Sequence, residues 1–302
     1  MPDTVLDGAR CGAATLRAVS LRGDSARYRG EPRRDALLTA RFGAGDDALV
    51  LVAVASGVWA APDAHRAARD ACEWIGGAVG RSQGRLAEDI RAGRRGALGS
   101  GLHRLTDRSY GRLRARAHEL GRHPAEYSAA LRCLLLPADP ECGTRVFFGV
   151  GEGGLFRLRD GAWQDLEHTE TAKGPSGDRV IGDRVTVDLG VVAPGEGAAP
   201  ASGPVSAPAP APEQPPTEPF RFRICSARPG DALLLCSPGL AEPLRGEPAF
   251  GERLAERWAR ARTEPGAESK AEPPGLAAFL ADAQLRAKGY AADRTACVVW
   301  EA

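Results

Sequence analysis

The sequence has 302 residues, 43% of them hydrophobic and 26% charged, with a formal net charge of +1. That is enough apolar material for one large domain or two ordinary ones, and so even a charge balance gives no reason to expect nucleic acid or a membrane surface as partner. No apolar stretch reaches the ~18 residues of a membrane-spanning helix, and "MPDTVLDGAR" lacks the basic-then-apolar order of a secretory signal, so the cytoplasm is the expected location.

Residues 13–28 and 36–42 ("ALLTARF") alternate apolar and polar side chains, as half-buried strands do. Residues 48–55 of "ALVLVAVASGVWA" form an apolar strand, and Ser56-Gly57 reads as the turn that ends it. From Pro62 to about Gly80 the apolar residues recur at helical spacing, with Pro62 and Asp63 suited to the start. Residues 81–122 carry 11 Arg against four acidic residues, with a helical stripe of Tyr110, Leu113, Ala117 and Leu120. This stretch reads as an exposed helical face, or as a docking surface for an acidic partner.

Residues 129–166 return to strands, with a hairpin turn at "RDGAW". "GVGEGG" at 149–154 fits G-x-G-x-x-G, but alternating strand follows it where a phosphate-cradling helix should be, so no dinucleotide is expected. Residues 191–219 hold nine prolines and seven alanines in 29 residues and read as a disordered insertion. Strand-like sequence flanks it ("DRVTVDLG" before, "FRFRICSA" after), so residues 1–302 read as a single domain. "GDALLLCSPGL" is a strand closing at Ser237-Pro238-Gly239, residues 249–261 and 275–288 have helical spacing, and "DRTACVVW" is a final buried strand. Strands interrupted by helices in this order fit sheets covered by helices.

The seven cysteines are odd in number and lack C-x-x-C spacing, so they read as reduced core residues. His118 and His123, five apart, do not share a helix face, and no histidine metal site is expected. Arginine far outnumbers lysine (Lys173, Lys270 and Lys288 only), which suggests a GC-rich bacterial source.

"SLRGDSARYRGEPRRDA", "VAVASG" followed by a helix, "GVGEGGLFRLRDGAW", "RPGDALLLCSPGL" and "GYAADRTACVVW" together resemble, in order and spacing, the type 2C (PPM) metal-dependent serine/threonine protein phosphatases. Bacterial members are especially similar. The resemblance implies an α+β, four-layer αββα sandwich, two antiparallel sheets flanked by helices. It also implies two divalent cations, Mn²⁺ or Mg²⁺, held by carboxylates and sharing a water that attacks phosphorus.

Carried over by position, Asp35 matches the first acidic residue, Asp293 a late metal-ligating aspartate, and Glu152 the aspartate of a more peripheral metal. Ser56 stands where the family has the aspartate that bridges both metals. Gly57 keeps the glycine whose carbonyl is a ligand in active relatives, and Pro238 replaces a second metal-binding aspartate. Arg22, Arg27, Arg29, Arg33 and Arg34 are candidates for phosphate contact, with none favoured. A serine hydroxyl is a neutral, weak ligand for Mg²⁺, and proline offers no side-chain oxygen. The resemblance therefore implies a pseudophosphatase with a binding role in serine/threonine phosphorylation signalling, its partner a phosphoprotein, kinase or regulator. The alternative is an active Mn²⁺- or Mg²⁺-dependent phosphatase with an altered site.

Overall fold

The computed structural model describes residues 2–59, 61–167, 219–260 and 273–302. In chain order the elements begin with β1 (Thr4–Cys11), β2 (Ala14–Leu21), α1 (Asp24–Arg29), β3 (Asp35–Phe42) and β4 (Leu49–Gly57). Three helices follow, α2 (Ala64–Arg81), α3 (Gln83–Arg91) and α4 (Arg95–Glu119). Then come β5 (Ala129–Pro137), β6 (Thr144–Val150), β7 (Gly154–Arg159), β8 (Ala162–Asp165), β9 (Arg221–Ser226) and β10 (Ala232–Cys236). The last elements are α5 (Pro238–Gly246), α6 (Pro248–Arg260), α7 (Leu276–Ala283) and β11 (Arg294–Trp300).

The strands form two antiparallel sheets, ordered β1-β2-β11-β10-β7-β8 and β3-β4-β5-β6-β9. Side chains on a strand alternate faces, and β4 uses both. Leu49, Leu51, Ala53 and Ala55 join the core under α2, α3 and α4, while Val50, Val52 and Val54 join the core between the sheets. Burial on both faces removes any polar alternation, and this is why the segment reads as one apolar run. On the far side, Val298 and Trp300 of β11 pack with Trp258 of α6 and Phe279 of α7. The layers are therefore helices, sheet, sheet, helices, as the resemblance implies.

Several expectations change at element boundaries. Residues 22–28 are not strand: β2 stops at Leu21 and α1 starts at Asp24. Only Ala26 in α1 is buried, so the alternation there has no apolar half. Strand β1 gave no signal because it is an edge strand with mostly exposed residues. The hairpin at Asp160-Gly161 forms as expected, with φ of 51° and 76°. Residues 149–154 span the β6–β7 turn, and strand follows directly. Helix α7 ends at Ala283, short of 288. The expected strand at 183–190 and all but Pro219 of the Pro/Ala segment lie outside the described residues.

Ser56-Gly57 is not a turn. Both residues remain in β4, Ser56 opposite Asp35 on one side and Ala130 on the other. Gly57 is needed for space: a Cβ there would lie 2.2 Å from the carbonyl oxygen of Ala64, at the start of α2. Gly239 is needed likewise, with its Cβ position 2.0 Å from the carbonyl oxygen of Asp293. In each case the obstacle is backbone, which cannot swing aside as a side chain can. Gly57→Ala is expected to lower stability by about 2–3 kcal/mol, as overpacking in a rigid site does. Urea unfolding measures this, and a loss under about 1 kcal/mol would mean that the start of α2 shifts freely.

Candidate functional site at the strand ends

The two sheets meet where β2, β3, β4, β10 and β11 end or begin. Asp35 opens β3 and is 5% exposed. Its Oδ2 accepts a hydrogen bond from the Thr295 hydroxyl of β11 at 2.9 Å, a link from one sheet to the other. Thr295 lies opposite Ser20 of β2, and the two hydroxyl oxygens are 2.6 Å apart. Because Thr295 donates to Asp35, Ser20 donates to Thr295. The backbone N–H of Thr295 donates to the Ser237 hydroxyl at 2.9 Å, and that of Ser237 to the Thr295 carbonyl at 2.9 Å. Ser20, Ser237 and Thr295 are fully buried.

Burial pushes the Asp35 carboxyl up to about 6, and the nearby Asp293 carboxylate pushes in the same direction. Hydrogen bonds with Ser237, Thr295 and Ser56 oppose the rise without cancelling it. The acid is thus surrounded by neutral hydroxyls.

Asp293 sits just before β11, 5% exposed. Its two carboxylate oxygens accept from the backbone N–H groups of Gly23 at 2.7 Å and Arg34 at 2.6 Å. Asp293 therefore fastens the loop after β2 and the segment before β3 to the start of β11. Arg33 reinforces the same junction, donating from Nε to the Asp35 carbonyl and from Nη1 to the Ser20 carbonyl, each at 3.0 Å.

The other expected site residues lie elsewhere or do other work. Glu152 is exposed in the β6–β7 turn and shares no hydrogen bond with Asp35 or Asp293. Pro238 is not in a turn; it is the first residue of α5, where its fixed φ and missing N–H cost nothing. Among the arginines, Arg22 pairs with Asp3, Arg27 with Asp3 and Asp24, and Arg29 with Glu31. Arg33 is buried against backbone. Arg34 makes no ion pair among the described residues and lies 5.9 Å from the ring centre of Trp59, which is 72% exposed.

Ser20, Ser237 and Thr295 were not singled out from the sequence. Each is a small polar residue beside an apolar run, indistinguishable there from an ordinary boundary residue. Arg132 was also missed. It sits fully buried inside "LRCLLL", donates to the Gly151 carbonyl at 2.9 Å and pairs with Glu167, so it braces the turn that carries Glu152. A charge interrupting an apolar run was the signal available.

Two facing antiparallel sheets between helical layers, with buried acids at the strand ends, define a phosphatase-type αββα sandwich. Residues 22–281 match the family described as protein phosphatase 2C, and the chain belongs to that family. No curated protein matches it. Among solved structures, it is similar to a serine/threonine phosphatase of S. agalactiae: 14% identity, TM-score 0.52, covering 96% of this chain and 100% of that one. The PPM Ser-Thr phosphatase MsPP of Mycobacterium smegmatis, solved with cacodylate, is similar at 16% identity and TM-score 0.51, covering 97% and 100%. A structure of the PP2C phosphatase domain and a regulatory fragment of SpoIIE from Bacillus subtilis matches at 10% identity and TM-score 0.50, covering 98% and 71%. At these identities the likeness is one of fold.

Proposed function

We propose that the chain is a catalytically impaired member of its family, which binds a phosphoprotein, kinase or regulator in serine/threonine phosphorylation signalling. The observation that carries this reading is the chemistry around Asp35. Two hard dications need several oxygen ligands of high charge. Here Asp35 has the neutral hydroxyls of Ser56, Ser237 and Thr295 for company, and both oxygens of Asp293 already serve main-chain N–H groups. Among the described residues, no three His, Cys, Asp or Glu side chains gather as a metal site would require. The donor set does not fit a two-metal centre, and no hydrolytic step is derived through one. No helix among the described residues is long and apolar enough to cross a membrane, and the proposed setting is the cytoplasm.

Arg34 and Trp59 lie on chain adjoining this site, Arg34 next to Asp35 and Trp59 just past the end of β4. They offer a cation and an aromatic face to a phosphorylated segment; Arg22, Arg27 and Arg29 are paired with acids and Arg33 is held by backbone carbonyls, whereas Arg34 makes no ion pair among the described residues.

The test is hydrolysis of p-nitrophenyl phosphate and a phosphothreonine peptide across a Mn²⁺ titration, with Mn²⁺ binding followed by calorimetry on the same protein. The expected result is background turnover and no pair of bound ions. Robust turnover with two bound ions would overturn the proposal in favour of an active phosphatase with an altered site.

A further inference from the structure

Of the eleven arginines in residues 81–122, five pair with an acid and six make no ion pair among the described residues, three of these six lining one groove. Arg85, Arg91, Arg94, Arg116 and Arg122 each pair with an acid: Asp89, Asp47, Glu88 with Asp89, Glu119 and Asp63 respectively. Arg81, Arg108 and Arg112 make no ion pair among the described residues, and all three line one groove between α2 and α4. The groove has a volume of about 510 Å³. Its floor is apolar, formed by Trp74 and Ala78 of α2 and Leu105 of α4, with Trp74 and Leu105 packed on the core beneath. The Arg112 guanidinium lies over the Trp74 ring, 4.8 Å from its centre, which holds that cation at the groove wall. Among the described residues, no acid lines the groove.

We propose that this groove docks an acidic segment of a partner protein, its apolar anchor on Trp74 and Leu105 and its carboxylates against Arg81, Arg108 and Arg112. The floor supplies burial and the unpaired rim supplies charge complementarity, which together set orientation and partner choice. Trp74 lies ten residues into α2, so the groove is about 15 Å along that helix from its start near Gly57. The inference is therefore independent of whether the strand-end site turns over.

The probe is a fluorescein-labelled twelve-residue peptide of glutamates with leucine at positions 4 and 8, read by fluorescence anisotropy. It is expected to bind the wild type and to lose at least about tenfold in affinity with Arg81→Glu/Arg108→Glu/Arg112→Glu. An equal charge change at exposed arginines away from the groove, Arg10→Glu/Arg95→Glu/Arg253→Glu, should cost under about threefold. A peptide with lysine in place of glutamate should show the reverse preference. If the charge-reversed groove variant does not fold by circular dichroism, Arg108→Gln/Arg112→Gln replaces it with the same direction expected. Absence of binding, equal losses in both triple variants, or equally tight and equally groove-dependent binding of a twelve-nucleotide oligo-dT would each overturn the proposal.

Discussion

Asp35→Asn is expected to stabilise the protein at pH 7.5 by about 1–3 kcal/mol and to remove a pH dependence that the wild type carries. The folded Asp35 holds its proton to about pH 6, because burial and the Asp293 carboxylate both penalise its charge, while an ordinary aspartate releases it near 3.8. Between these values the unfolded chain binds fewer protons than the folded one, so folded stability falls as pH rises through that window. Below about pH 4 both states are protonated and the penalty vanishes. The gap between 3.8 and about 6 corresponds to about 3 kcal/mol as an upper bound. Asparagine can still accept from Thr295 and carries no charge to bury, so its unfolding free energy should not share the fall. Urea unfolding of both proteins between pH 4 and 7.5 measures the difference. A difference that stays flat across the window would show that burial and the Asp293 carboxylate do not penalise the charged form of Asp35.

The second large effect is a gain. In Ser56→Asp/Pro238→Asp, a carboxylate is placed opposite Asp35 in the β3–β4 register and another at the first residue of α5. Without metal the carboxylate introduced into β4 repels Asp35, so the variant should be less stable than the wild type at neutral pH. The acid at the start of α5 faces a helix N-terminus and is tolerated there. With Mn²⁺ the order should reverse: at an ion concentration a hundred times the dissociation constant, binding to the folded state alone adds about 2.7 kcal/mol per site. The expected result is a melting temperature that rises with Mn²⁺ in the double variant and is unmoved in the wild type. A folded double variant indifferent to Mn²⁺ would mean that these two positions do not correspond to the family's ligand positions.

Much of the sandwich was readable because burial leaves strong marks. The unbroken apolar run of β4, the Asp-Gly hairpin between β7 and β8 and the helical spacing of α2 each follow from one local rule. What escaped was set by tertiary contact. Edge strand β1 buries too little to show a pattern. Ser56-Gly57 and Pro238-Gly239 look like turns because glycine usually marks one, whereas here the glycines admit the carbonyls of Ala64 and Asp293. Asp35, Ser56 and Asp293, named from the sequence, fall on neighbouring strand ends. The hydroxyl lining around them was not legible, because Ser20, Ser237 and Thr295 acquire meaning only when β2, α5 and β11 converge on one acid. Glu152 fell apart from them because the β6–β7 turn is braced separately by Arg132.

The pairing of β2 with β11 also governs how the chain can be made. Leu21 stands against Arg294 and Thr15 against Trp300, partners far apart in the order of synthesis. Until Trp300 has left the ribosome, β2 can pair only with β1, and its other edge stays open with Leu16, Ala18 and Val19 beside it. Pairings so distant close slowly, and an uncovered apolar edge invites association with other nascent chains in the meantime. The first sheet is thus completed only once β11 has been made, while the β3–β4–β5–β6 strands and the helices that cover them can assemble before.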